Sequence, residues 1–368
     1  MTEPGGLAAA RPSPAAQERL DHLRALLEAR GLTGVVITFQ PTLSWLFGGR
    51  FHVNVASEQG LAAVLVDGGR VACLVNNIEA VRLAEEEGLF ADEWLVVPWY
   101  DEAERRRRLA AWLQRPGVVE EAAVADDLRR LRARLDDAAR RALSALALDA
   151  ARAVEEAGRS LQPEDPEWAA AAAIARGCLA VGAEPVVLLA AGARRALRHR
   201  HPVPTGDLIG PWAILSVGAR RGGLVASVTR MVGFAPVPEE ILAKHRAVIR
   251  VDARMLRASV PGATLAEVFE CAKGAYAEVG HPEEWRAHHQ GGLAGYQSRE
   301  RRADPAADEV LTEGQAVAWN PTIAGVKSED TALVAPEGAR VLSDTGAWPM
   351  EMVDVDGWGI LRPALWVR

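Results

Sequence analysis

The chain has 368 residues, 49% of them apolar and 25% charged, with a formal net charge of -7. That composition excludes a disordered chain and is long enough for two hydrophobic cores. The acidic balance sets nucleic acid aside as a partner, and the three cysteines, Cys73, Cys178 and Cys271, form no CxxC pair, so they read as free thiols rather than disulfides or a thiolate zinc site. No apolar stretch reaches membrane-spanning length. Met1 to Pro14 lacks the basic start and apolar run of a signal peptide. The expectation is a cytoplasmic protein with no membrane partner.

In chain order, residues 1–16 read as a loose tail. Leu20, Leu23, Leu26 and Leu27 recur at helical spacing and predict a helix over Gln17 to Arg30, stopped at Gly31. Val35 to Ile37 reads as a short buried strand. Leu61 to Val66 and Val71 to Val75 read as strands joined by the Asp67-Gly68-Gly69 turn. A helix over Ile78 to Glu87 and a strand at Leu95 to Val97 follow, giving an α/β first domain. From Asp101 to Leu161 strand signals vanish. The run Arg105 to Arg108 reads as a solvated helix face paired with Glu102 and Glu104, and Asp126 to Leu161 as a linker helix followed by a long amphipathic helix. Beyond Pro163 the order is a helix (Glu167 to Val181), a strand (Pro185 to Ala190), a loop rich in Arg and His, and a strand pair (Trp212 to Val217, Gly223 to Val232). Two helices (Pro238 to Leu256, Leu265 to Gly280) and strands at Ala316 to Trp319, Asp330 to Val334 and Ala339 to Leu342 complete it. This mixture predicts an α+β second domain.

Four motifs of that second domain carry a resemblance. Ser216-Val-Gly218 and, after a Gly-containing turn, Ser227-Val-Thr229-Arg230 have the spacing of Asp-x-Gly followed by Asp-x-Thr-Arg. His288-His289-Gln290-Gly291-Gly292-Leu293-Ala294-Gly295 has the form of Gly-His-Gly-x-Gly, with Glu300 a little further on. Asn320-Pro321-Thr322 stands for Glu-Pro-Gly, and Glu329-Asp330 for a Glu-Asp pair before a strand. In this order the motifs resemble the creatinase, prolidase and aminopeptidase P family, and the resemblance extends to the first domain. It implies an α+β architecture with a C-terminal pita-bread domain over 126–368, a smaller creatinase-like α/β domain over 17–125, and a homodimer. It also implies five metal-ligand positions: Ser216, Ser227, Gly292, Asn320 and Glu329, of which only Glu329 keeps a carboxylate. A pair of divalent metals with a bridging hydroxide needs several anionic oxygens and an imidazole. Without the metals, water is no nucleophile near neutral pH. No metal and no cofactor is therefore expected.

His199-Arg200-His201-Pro202 lies where the resemblance implies a substrate-binding histidine before a proline, and the spacing favours His199. In an extended segment His199 and His201 would point to the same side. With His288 or His289 they could build an imidazole cluster. As sequence neighbours, His288 and His289 are expected to point to different sides and not to share one metal. Creatinases, as a family, work without metal. By that analogy His199 or His201 serves as general acid or base, and Glu329 grips a cation on the substrate. Ser216, Ser227, His288, His289, Asn320 and Arg299 are the expected ligand-binding residues. A buried Glu329 needs a partner, with Lys327, Arg299 and Arg230 in reach. Arg299-Glu300 reads as an ion pair at the rim, Trp319 as a core residue, and the basic cluster Arg194, Arg195, Arg198 and Arg200 as solvated or pocket-facing. The expectation is a metal-independent, hydrolase-like protein that binds or cleaves a small amide, amidine or short peptide. The alternatives are a non-catalytic binding or scaffold protein, and an Xaa-Pro peptidase with an unconventional metal site.

Overall fold

A computed structural model describes residues 11–368. The tail expected over residues 1–16 lies mostly outside them. Within the described part, Ser13 already caps the first helix, Pro14–Ala29, its hydroxyl accepting from the Ala16 N–H at 3.2 Å. The chain forms two compact units, one up to Asp136 and one from Asp137 onward. The sequence expectation put this division at 125/126. Helix Ala125–Ala133 goes with the first unit because Leu128 and Arg132 are buried there, and Arg132 donates to the Thr42 hydroxyl at 2.8 Å.

In the first unit a mixed sheet runs in the order Glu93–Val97, Val71–Asn76, Gln59–Asp67, Gly34–Phe39, Val118–Glu120. The outer pairs are parallel and the inner pairs antiparallel. Val36, Ala63, Leu65, Ala72 and Leu74 pack on one face against Trp112 of helix Glu102–Leu113. Two elements here lack a sequence signal. Strand Val118–Glu120 is only three residues long and is held by its parallel neighbour. Helix Gln40–Phe47 is buried on every side, so no period marks it. The Arg run is paired as expected, Arg105 with Glu102 and both Arg107 and Arg108 with Glu104.

The second unit holds two larger sheets and two two-stranded ones, Thr322–Ile323 with Val326–Lys327 and Met350–Val355 with Trp358–Pro363. One of the larger sheets runs in the order Leu365–Val367, Leu224–Gly233, Trp212–Arg221, Glu184–Gly192, and the other in the order Arg301–Arg302, Gly291–Ala294, Ala316–Trp319, Asp330–Leu333, Arg340–Val341. Helix Asp137–Ser160 covers the first sheet with Leu143, Leu146, Ala147, Ala150 and Val154, all buried at helical spacing. Helices Glu239–Ala258 and Leu265–Glu278 pack together, the second opened by a capping box between Thr264 and Glu267. The sheets are stitched by the Thr229 N–H to the Glu329 carbonyl at 2.9 Å and the Ser227 N–H to the Thr331 hydroxyl at 2.8 Å. These bonds put the motif strands face to face. Trp319 is fully buried, its indole N–H donating to Ser259 at 2.9 Å. Cys73 and Cys178 are buried, Cys271 is half-buried, and all three are free thiols. No helix among the described residues is long and apolar enough to cross a membrane.

Candidate functional site

Strands Trp212–Arg221 and Leu224–Gly233 form a hairpin in which Ser216 pairs with Thr229 and Gly218 with Ser227. Where the hairpin meets the second sheet there is a cavity of about 460 Å³. Its wall includes His201, Ser216, Ser227, His289, Arg299, Asn320 and Glu329 from the expected set, and also Arg302, Lys327 and Gln297. His288 belongs to the same cluster through His201, their Nε2 atoms 2.8 Å apart.

His199 goes elsewhere. It lines a separate small cleft with Arg200 and Pro202. The expectation that it would share a side with His201 does not hold, because the segment is not extended: the His199 N–H bonds back to the Arg195 carbonyl in a helical turn. The expectation that His288 and His289 diverge also does not hold. His288 sits at a bend leaving the Glu284–Ala287 turn, so strand alternation does not apply. The two rings lie 4.5 Å apart, with the His201 ring 4.7 and 5.6 Å from them. One nitrogen from each of the three imidazoles falls within 4.8 Å of the others.

Glu329 is the centre of the charge arrangement. Its carboxylate takes Lys327 at 2.7 Å, Arg299 at 3.0 Å and the Thr229 hydroxyl at 2.8 Å. Ser216 and Thr229 are joined hydroxyl to hydroxyl at 2.7 Å, extending the chain of hydrogen bonds to a Ser–Thr–Glu line. Burial works to raise the Glu329 pKa, but Lys327 and Arg299 outweigh it and hold the carboxyl near 2. Arg299 therefore pairs with Glu329 and not with Glu300, which instead accepts from the Tyr296 N–H at 3.1 Å. Arg230 does not reach Glu329 either. It is spent on Glu155 and Asp330. The Arg-rich loop before His201 is mostly paired with acids: Arg194 with Asp207, Arg195 with Glu167 and Arg200 with Glu284.

The imidazoles are held neutral. Burial first, then Lys327, lowers His201 and His288, and burial followed by Arg299 and Arg302 lowers His289 to about 4. A neutral imidazole beside a cavity can accept a proton or donate one hydrogen bond. Several polar atoms of the site are buried without a partner: Nδ1 of His288, Nδ1 of His289, Nε of Arg299 and Oδ1 of Asn320. Such atoms carry a desolvation cost unless a ligand or water meets them. Sequence reasoning had no signal for Arg302 as a wall residue, since nothing sets it apart from Arg299 and Arg301 in the same short segment.

A two-domain chain with a mixed α/β first unit and two facing sheets lined by displaced ligand motifs defines a peptidase-fold protein of the pita-bread class. Residues 138–336 match Metallopeptidase family M24 and residues 19–157 match the Creatinase/Prolidase N-terminal domain, so the chain belongs to metallopeptidase family M24. It is similar to the Xaa-Pro dipeptidase of Pyrococcus horikoshii, 26% identical over 168 residues that cover 43% of this chain. That match spans 46% of the relative's own length, about half. Among solved structures, the prolidase of Pyrococcus horikoshii OT3 superposes with a TM-score of 0.75 at 20% identity, covering 89% of this chain and 98% of that one. The Xaa-Pro dipeptidase from Bacillus anthracis gives a TM-score of 0.75 at 18% identity, with 96% and 100% covered.

Proposed function

We propose that this chain is a metal-independent member of its family, using the cavity to bind a short peptide or small amide. The observation that carries this reading is the state of Glu329. The one carboxylate among the five positions that the family resemblance assigns to metal ligands is already neutralised by Lys327 at 2.7 Å and Arg299 at 3.0 Å. Ser216 and Ser227 offer neutral hydroxyls, Asn320 an amide, and Gly292 nothing. Two divalent cations need anionic oxygens to offset their charge. Here they would meet three cations and a single carboxylate, so the donor set does not fit them.

Gly292 adds a steric reason. Its φ is +151°, and a Cβ built there would lie 2.0 Å from the Arg301 carbonyl oxygen. A histidine side chain has no room to start from that backbone. In this reading His201 and His289 hold the ligand's polar groups, and His201, exposed and neutral, is the residue placed to move a proton. Elemental analysis of the purified protein and an assay with Xaa-Pro dipeptides in added manganese test it. The expected result is metal well below one ion per chain and no cleavage. Two bound ions together with cleavage would overturn it.

A second reading keeps an Xaa-Pro peptidase with a single imidazole-held metal, and the close approach of His201, His288 and His289 favours it. One equivalent of metal lost on His288→Ala would establish it. The homodimer implied by the resemblance is checked by sedimentation of the purified chain.

A further inference from the structure

The wall of the cavity carries an unbalanced charge. Arg299, Arg302 and Lys327 face it against one carboxylate, Glu329, which leaves an excess of two positive charges while the imidazoles are neutral. In a chain of net charge -7 this is a local inversion of sign, and a cleft lined by one sign of charge concentrates ions of the other. Arg299 and Lys327 share Glu329, whereas Arg302 makes no ion pair among the described residues. Burial supplies a second, independent observation. The Arg299 side chain is only 8% exposed, yet its Nε has no acceptor, and the Nδ1 of His289 on the same wall has none either. The Arg299 Nε–H is a donor, and His289 Nδ1 is one in the tautomer that protonates it, so an acceptor-rich group on this wall relieves their desolvation.

We propose that the cavity takes a ligand bearing a small dianionic oxyanion of the phosphate type, gripped by Arg302 with the Arg299 guanidinium beside it. Glu329 is then the fixed counter-charge that holds Arg299 and Lys327 in position, not a grip for a cationic substrate. An amidine or guanidine would meet like charges at the wall. Planar guanidiniums match the oxygens of phosphate and carboxylate groups, and charge-assisted bonds to them are the strong ones. The inference rests on the metal-free reading above, because divalent ions in the cavity would themselves hold an anion.

The test is calorimetric titration at low ionic strength on a sample whose metal content is measured in parallel. The probes are inorganic phosphate, N-acetylglycine as a carboxylate monoanion, and benzamidinium. Phosphate is expected to bind at one site, roughly tenfold more tightly than N-acetylglycine, while benzamidinium does not bind. Arg302→Ala, at an exposed position, is expected to weaken phosphate binding by roughly tenfold without changing the circular dichroism spectrum, and Arg302→Lys to restore part of it. Absence of phosphate binding in metal-free protein, equal binding by Arg302→Ala, tighter binding of N-acetylglycine, or binding of benzamidinium would each overturn this inference alone. Two metal ions per chain would overturn it together with the reading it rests on.

Discussion

Glu329 and Asp330 are consecutive, yet their carboxylates enter regions of opposite character. Asp330 is sealed in a dry network. It takes Arg230 at 2.9 Å and Arg362 at 2.6 Å, and these arginines in turn hold Glu155 at 3.2 Å and Asp252 at 2.5 Å. Ser343 and Ser328 donate to the carboxylates of Asp330 and Asp252. Carboxylates and arginines offset one another there, Arg159 also reaching Glu155, and helices Asp137–Ser160 and Glu239–Ala258 are tied to the sheets through these pairs. Glu329 faces the cavity, where cations outnumber anions and there is room for solvent. The contrast separates two kinds of motif residue. Thr229-Arg230 and Glu329-Asp330 match the family pattern, and Arg230 and Asp330 are used to hold the fold. Ser216, Ser227 and Asn320, which depart from it, line the cavity, and Gly292 packs against the strand Arg301–Arg302.

The largest effect is expected at Asp330. Asp330→Ala leaves two buried guanidiniums short of a partner and is expected to cost about 3–5 kcal/mol, read from urea denaturation. Gly292→His comes next. A backbone at φ +151° with an oxygen 2.0 Å from the new Cβ must shift, so a loss of about 1–3 kcal/mol is expected, with no gain in bound metal. Glu329→Gln should cost less than the Asp330 variant, about 1–2 kcal/mol, because water in the cavity can reach Lys327 and Arg299. A cost equal to that of Asp330→Ala would erase the distinction between the wet and dry sides.

A smaller effect is expected with pH. Folding lowers the proton affinity of His288 and His289, so unfolded imidazoles protonate near 6.5 while folded ones resist, His289 down to about 4. Stability is then complete above about pH 6.5 and declines as the pH falls below it, by at most about 1.4 kcal/mol per pH unit for each such proton. Glu329 acts in the same direction further down. Its folded pKa is depressed, so its contribution is present above the ordinary carboxylate range and is lost as the pH falls towards about 2. Urea midpoints measured from pH 7 to pH 4 should fall, and His289→Gln should flatten the slope. Smallest of all, Arg107→Ala on the exposed face of its helix should change stability by less than about 0.5 kcal/mol, as exposed ion pairs do.

Elements whose own side chains dictate them were legible in the sequence. The leucines of Pro14–Ala29 and the long helix Asp137–Ser160 bury a periodic face, and the strands of both hairpins are apolar runs buried almost throughout. Strand Gly291–Ala294 was not legible, since Gly-Gly-Leu-Ala has no strand preference and is held by Ala316–Trp319 on one side and Arg301–Arg302 on the other. The hairpin Met350–Val355 with Trp358–Pro363 also escaped notice, its burial being too uneven to alternate cleanly. At the site, residue types and spacing pointed to the cavity, and most of the expected residues line it. Direction was harder to read. Whether His199 or His201 faces inward depends on one backbone hydrogen bond to Arg195, and which cation takes Glu329 depends on where Arg230 is engaged. Neither is written in local sequence.

The closeness of Gly292 to the strand beside it also bears on engineering. With that backbone against the Arg301 carbonyl, an imidazole placed at the position by one substitution displaces the segment between Gly291 and Arg302 and does not point where a ligand histidine would. A designer seeking to reinstall metal chemistry would graft the whole loop and its partner strand before touching the two serines.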